Sequence, residues 1–340
     1  MTTLAGLVLL LHVVLLAGLG VLAMHRWALA WASRRPPVPP PTADARWRPV
    51  VTVQLPLFDE RDVAARAVAA AGALDWPRDR LEIQVLDDST DDTRERVDAA
   101  VARLVADGVD AVVLRRDVRT GFKAGALAEG LAVARGEVVA VFDADFVPAP
   151  DTLRRLVPFL APADVGMVQA RWGHLNADED WLTATQATML DGHFVLEHGG
   201  RWRLGAFFNF NGTAGVWRAQ AIHDAGGWSH DTLTEDMDLS YRSQLAGWRF
   251  VYRDDVVVPA ELPPTLRAFK AQQARWARGG TQTMRKLLGR LLAAPLPLVV
   301  KREAASHLLA NVGYPATLAL ALVLPLLPWA RARASWSVPW

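Results

Sequence analysis

Val138-Val139-Ala140-Val141-Phe142-Asp143-Ala144-Asp145 is an unbroken apolar run that ends in two carboxylates. A short valine-rich run suits a strand buried on both faces, as strands of parallel sheets are. Acids at its carboxyl end put charge where open parallel sheets bind their ligands. Reading outward, Val50–Leu57, Glu82–Leu86 and Ala111–Leu114 repeat the short apolar run, and helical patterns over Asp62–Ala73, Asp92–Asp107 and Lys123–Ala134 separate them. This alternation predicts an α/β domain built on a doubly wound, mainly parallel sheet.

The residues after each expected strand are not random. Pro56, Asp59 and Glu60 follow the first, Asp87, Asp88 and Ser89 the second, and Asp143, Ala144 and Asp145 the fourth. No Gly-x-Gly-x-x-Gly follows a strand and no Gly-x-x-x-x-Gly-Lys-Ser/Thr occurs, which argues against a dinucleotide dehydrogenase and a P-loop NTPase. In an extended chain residues two apart point to the same side, so Asp143 and Asp145 converge on one cation; hard oxygen donors suit Mg²⁺ or Mn²⁺, which would neutralise a diphosphate. Asp-x-Asp by itself is more often a cap or a turn, and its place beside a second acidic strand end reverses that preference.

Four further segments suit the same chemistry. Asp87 or Asp88 could accept hydrogen bonds from a base or a ribose, with Ser89 or Asp91 capping the next helix. Lys123 stands at a glycine-flanked helix start, in Gly121-Phe-Lys-Ala-Gly125, where a cation meets phosphate. Thr234-Glu235-Asp236 follows the Gly226-Gly227-Trp228 loop, and sugar transfer to a hydroxyl needs a carboxylate base: Asp236 first, Glu235 second. Gln272-Gln-Ala-Arg275-Trp276 reads as helix, placing a guanidinium for a leaving diphosphate beside an indole for stacking on a pyranose. Phe210-Asn211-Gly212-Thr213 suits a saccharide groove, although aromatic runs are more often core. His174, His193 and His198 lack the spacing of a metal site and read as structural or surface residues.

The 37 Lys and Arg residues nearly cancel the 36 Asp and Glu, so no basic field argues for nucleic acid. The absence of cysteine excludes disulfides, thiolate metal sites and Cys nucleophiles together. Residues 1–25 carry almost no charge and are long enough to span a bilayer. Arg26, Arg34 and Arg35 follow them instead of preceding them, as in an uncleaved anchor and not a signal peptide; the positive-inside rule then puts the next segment in the cytoplasm.

The remaining boundaries follow from composition. Residues 26–47 form a linker whose Pro-rich part, Arg35 to Thr42, is stiff and extended. Residues 48–282 form the catalytic domain, 283–305 an amphipathic region whose Leu287–Val300 stretch suits either the membrane face or core packing, and 306–330 a second span with Pro315, Pro325 and Pro328. Trp329, Trp336 and Trp340 suit an interfacial belt. Arg331 and Arg333 beyond it read either as a re-entrant hairpin or as the point after which further spans follow.

Asp87-Asp88, Lys123, Asp143-x-Asp145, Thr234-Glu-Asp236 and Gln272-x-x-Arg275-Trp276, in this order and between two spans, resemble glycosyltransferase family two. Within it the chain is most similar to membrane-bound cellulose-synthase-like and β-mannan-synthase-like enzymes, including Gln169-Ala-Arg-Trp-Gly-His174 and Phe210-Asn-Gly-Thr-Ala-Gly-Val-Trp-Arg218. The resemblance implies a GT-A fold with a nucleotide-sugar donor such as UDP-glucose or GDP-mannose, and a divalent cation with inversion at the anomeric carbon. Carried over, it gives Asp87, Asp88, Lys123, Asp143, Gln272 and Arg275 to the donor, Asp143 and Asp145 to the metal, and Asp236 to the base. Trp276 and Phe210 to Thr213 go to the acceptor, with Asn211 where related synthases usually carry Cys.

That resemblance also implies a multi-pass protein of the inner membrane with a cytoplasmic catalytic domain, and it admits periplasmic or membrane partner subunits. The expected product is a β-linked polysaccharide; single-sugar transfer to a lipid and a non-catalytic nucleotide-binding partner are the alternatives.

Overall fold

In a computed structural model, which describes residues 2–36 and 42–334, the apolar runs become strands close to their expected limits. β1 (Val51–Leu57), β2 (Leu81–Asp87), β3 (Asp110–Leu114) and β4 (Val138–Val141) are mutually parallel, with β1 between β2 and β4. β5 (Val165–His174), β6 (Gly215–Arg218) and β7 (Arg249–Ala260) complete a seven-stranded sheet in the order β3-β2-β1-β4-β6-β5-β7. β6 runs antiparallel to both β4 and β5, while β7 is parallel to β5, so the sheet is mixed and mainly parallel. The heart of Pro-rich linker, residues 37–41, and the expected belt residues Trp336 and Trp340 lie outside the described residues.

Strand alternation divides the core between the two faces. Val138, Ala140 and Phe142 pack with the Ala64–Gly72 and Thr93–Ala106 helices, on Val68 and Val97. Val139 and Val141 face the other way, onto Leu127 of the Phe122–Val133 helix and Leu239 of the Glu235–Leu245 helix. With helices on both faces, the carboxyl ends of β1, β2 and β4 are the free edge of the layered structure, and the acids lie there.

Among the described residues two helices are long and apolar enough to cross a membrane: Thr3–Ala32 and Ala310–Arg333. They pack against each other, and the second runs on through a 3₁₀ turn at Leu324–Leu326. The first also docks on the α/β domain, because a β-carbon on Gly200 would come within 2.5 Å of the Leu29 carbonyl oxygen.

The amphipathic stretch Leu287–Val300 is not one helix. Its first part is the tail of a 28-residue helix, Leu266–Ala293; Pro295 and Pro297 end it, and Leu298–Leu308 starts afresh. Leu287 and Leu291 are buried against Tyr241 of the Glu235–Leu245 helix, so that face packs on protein instead of lying free on a membrane.

Candidate active site

Three of the expected residues, from three separate segments, meet around Gly212. Past β4 the alternation continues: Phe142, Ala144 and Phe146 are buried, while Asp143 and Asp145 between them are only partly covered. The Asp143 backbone N–H donates to Thr213 Oγ1 at 2.8 Å. Gly121 and Phe122 both take positive φ angles, 73° and 51°, and this sharp turn delivers Lys123 in the first turn of its helix. Lys123 Nζ donates to Asp143 Oδ1 at 2.5 Å and to the Gly212 carbonyl at 3.0 Å. Gly212 has φ 80°, and a β-carbon there would stand 3.1 Å from Asp236 Oδ2 and 3.5 Å from Lys123 Nζ.

Crowding of like charge sets the electrostatics. Burial, then Asp143 beside it, pushes the Asp145 carboxyl up to about 7. Burial and Glu235 push Asp236 up to about 7, and burial raises Glu235 as well. Glu60, after β1, is raised by burial and by Asp143. Burial works against the Lys123 ammonium, yet Asp143 and Glu235 hold it above its ordinary value. An excess of carboxylate with one lysine as counter-charge is an environment that favours a further cation. Asp143 and Asp145 fit a hard divalent ion as donors, but no group of three or more His, Asp or Glu side chains poised for one occurs among the described residues. A cation here needs oxygens from elsewhere, and a diphosphate has them.

The second acidic pair is held by arginines that sequence reading passed over. Asp87 is fully buried, accepts from Ser89 N–H at 3.0 Å and pairs with Arg115 at 2.8 Å. Asp88 accepts from Arg116, and Arg119 lies 3.6 Å away. The Arg119 guanidinium also sits over the Phe58 ring, 3.4 Å from its centre, at the end of β1. The signal for Arg115 and Arg116 was their place directly after β3.

The Leu266–Ala293 helix brings Trp276 within 6.4 Å of Trp172 on β5, ring centre to ring centre, and Trp172 packs on Phe146 and Phe194. Gln272 is partly buried and Arg275 exposed, and Arg275 is near enough to oppose the rise at Glu235. One turn on, Gly279 lets this helix press on Thr234, and Thr234 Oγ1 meets Thr283 Oγ1 at 3.2 Å. Lys286 then reaches Asp238, fully buried on the Asp236 helix, at 2.8 Å.

Two acceptor expectations are corrected. Phe210 is fully buried among Trp217 and Trp228 and belongs to the core, because the loop residue before an inward-turning strand falls on the packed face. Thr213 is buried too, and its hydroxyl holds the Asp143 backbone. Asn211 remains partly exposed, with its amide 3.3 Å from His198 Nε2, and Gly212 lies at the centre of the site. His198 is wholly buried and its pKa is lowered by burial, as a structural histidine's would be.

Comparison with known proteins gives the same grouping. The family model described as "Glycosyltransferase like family 2" matches residues 49–279. Glucomannan 4-beta-mannosyltransferase 1 of Oryza sativa subsp. japonica is 49% identical over 245 residues, which are 71% of this chain and 47% of the rice protein. Glucomannan 4-beta-mannosyltransferase 2 of Arabidopsis thaliana is also 49% identical, over 71% of this chain and 46% of its own. The chain thus spans about half the length of the curated relatives it matches. Among solved structures, a mannosyltransferase from Pyrobaculum calidifontis in complex with GDP-Man and Mn²⁺ superposes with a TM-score of 0.72 at 25% identity, covering 98% of this chain and 88% of its own. A GT-A-like sheet, the ordered acidic motifs and these matches together show that the chain belongs to the glycosyltransferase-like family 2.

Proposed function

We propose that this protein transfers mannose from GDP-mannose, with inversion, to a hydroxyl of a β-1,4-linked mannan or glucomannan acceptor. The observation that carries the reading is the meeting of Lys123, Asp143 and Asp236 around Gly212. The choice of sugar rests on relatives named glucomannan 4-beta-mannosyltransferases and on the solved relative that holds GDP-Man and Mn²⁺.

Asp236 takes the acceptor hydroxyl proton as that oxygen bonds to the anomeric carbon, while the bond from that carbon to the diphosphate breaks on the opposite face and GDP departs. Burial raises the basicity of Asp236, and a base whose pKa lies near the working pH is effective. Lys123 and Arg275 offset the negative charge that grows on the diphosphate. A divalent ion held by Asp143 and Asp145 would supply Lewis-acid neutralisation of the same charge. Trp276 and Trp172 offer aromatic faces for the acceptor sugars. The Thr3–Ala32 and Ala310–Arg333 helices fix the domain to a membrane, with the site on the cytoplasmic side, where nucleotide sugars are made.

The test is GDP release by the full chain in nanodiscs, with Mn²⁺ or Mg²⁺, a panel of nucleotide sugars and a manno-oligosaccharide. Release from GDP-mannose that needs the acceptor supports the reading, and lengthening products establish a polymer. Release from UDP-glucose alone would overturn the choice of donor; sugar found only on lipid would overturn the acceptor.

A further inference from the structure

The side chain of Gln169, on β5, is fully buried and hydrogen-bonds through both its oxygen and its nitrogen to the Asn211–Ala214 loop, and through its nitrogen to the neighbouring Ala170 carbonyl as well. Its Oε1 accepts from the Asn211 backbone N–H at 3.0 Å. Its Nε2 shares its two protons among three carbonyls, Ala170 at 2.8 Å and Thr213 and Ala214 at 3.1 Å each. The amide cannot be turned over: its oxygen would then face three carbonyl oxygens and its nitrogen an N–H.

The segment it grips is the one that carries the reaction's parts. Asn211 is half-exposed at the acceptor side, the Gly212 carbonyl accepts from Lys123, and the Thr213 hydroxyl holds the backbone of Asp143. Gly212 and Ala214 take φ angles of 80° and 55°, so the segment leaves ordinary strand geometry just where it needs partners for its polar backbone. On its other flank Ser240, one turn along the Asp236 helix, accepts from the Phe210 N–H at 2.8 Å and donates to the Asp236 carbonyl at 2.6 Å. The loop is therefore held between β5 and the helix of the base, and Gln169 is the sole β5 side chain hydrogen-bonded to it among the described residues.

We propose that Gln169 is a positioning residue for sugar transfer: through the Asn211–Ala214 backbone it fixes the distance between the acceptor side, Lys123 and Asp236. This rests on the transferase reading above. Gln169 makes no hydrogen bond of its own to Lys123 or Asp143, and those two remain paired with each other without it, so its loss is felt more in transfer than in donor binding.

The experiment compares Gln169→Met, which keeps the volume and removes all the hydrogen bonds, with Gln169→Glu, which keeps the acceptor oxygen and sets a second oxygen against three carbonyls. Both are measured in nanodiscs for thermal unfolding, Mn²⁺-dependent GDP binding, donor hydrolysis by water, and transfer to manno-oligosaccharide. The expected result is GDP affinity within twofold of wild type, hydrolysis retained, and transfer kcat lowered 10- to 100-fold with a raised acceptor KM. Relative to wild type at the same pH, Gln169→Glu should recover part of its transfer as the pH falls and the carboxyl gains a donatable proton, while Gln169→Met should not. Unchanged transfer in both variants would overturn the proposal. So would parallel loss of GDP binding and unfolding temperature, the mark of a merely structural residue. If wild type itself transfers nothing from any donor while binding GDP, it is the transferase reading that fails.

Discussion

At the scale of single residues, what could be read beforehand was whatever chemistry and short spacing alone decide. Asp143 follows a valine run, Lys123 comes two residues after a glycine, and Asp236 stands in the first turn of a helix; these three meet around Gly212. Residues whose role depends on a partner far along the chain were not legible. Gln169 binds residues more than forty positions away, and the Arg115–Asp87 and Arg116–Asp88 pairs needed β2 and β3 to be neighbours. Phe210 was misassigned because an aromatic near a sugar motif and an aromatic in a core look alike until the direction of β6 is known. Asp236→Asn keeps shape and removes the base, so transfer should fall about 10²- to 10⁴-fold with donor binding kept. Retained transfer, measured by GDP release, would pass the role to Glu235. Lys123→Met leaves Asp143 without its counter-charge and the diphosphate without a cation. GDP-mannose binding should weaken by about 1.5–3 kcal/mol, the range for hydrogen bonds to charged groups, and calorimetric titration reads it directly.

At the scale of elements, the βα rhythm was visible because each strand and helix of the first half carries its own period. The antiparallel β6 was not, since Gly215–Arg218 is four residues long and owes its direction to the left-handed turn at Gly212 and Ala214. Nor could periodicity show that the helix bearing Gln272, Arg275 and Trp276 runs unbroken to Ala293 and is clamped to the helix of the base. That clamp is tight at Gly279, where a β-carbon would meet Thr234 Cγ2 at 2.5 Å and the Thr234 backbone nitrogen at 2.8 Å. Gly279→Ala favours the isolated helix by about 1 kcal/mol, yet overpacking costs about 1–3 kcal/mol and forces the Thr234–Glu235–Asp236 turn aside. Transfer should drop at least tenfold with GDP affinity lowered less, because only Gln272 and Arg275 of the expected donor residues ride on this helix. Equal activity in Gly279→Ala would show that the two helices have slack between them.

For the whole molecule, the layered α/β body leaves one edge of the sheet to collect carboxylates, and helices on the other side tie it to two apolar helices that pack together. The cost of that edge is spread over the folded state. Asp145 and Asp236 each rise from 3.8 when unfolded to about 7 when folded, mainly through burial. Between those limits the folded protein therefore holds more protons than the unfolded chain, so its stability is fullest below pH 3.8 from these two groups and is lost as pH rises through about 7. Other carboxylates work in the opposite sense: burial raises Glu197, but His193 and Arg201 overcome it and lower its pKa to about 2, which protects the fold above its ordinary 4.5. The two carboxylate trends separate in the window from pH 5.5 to about 7.5, where the raised carboxyls titrate and the lowered ones do not; buried His198 and His307, whose pKa values are lowered by burial, gain stability with pH there and work against the fall. Across it the unfolding temperature of the cation-free protein in nanodiscs should fall relative to that of Asp145→Asn. Saturating Mn²⁺ should cancel the fall, since an ion bound between Asp143 and Asp145 favours their charged forms and binds the folded state alone. Asp145→Asn should remove much of the slope and most of the Mn²⁺ response together. A slope that persists unchanged in Asp145→Asn, with Mn²⁺ still flattening it, would place both the raised carboxyl and the ion elsewhere on the molecule.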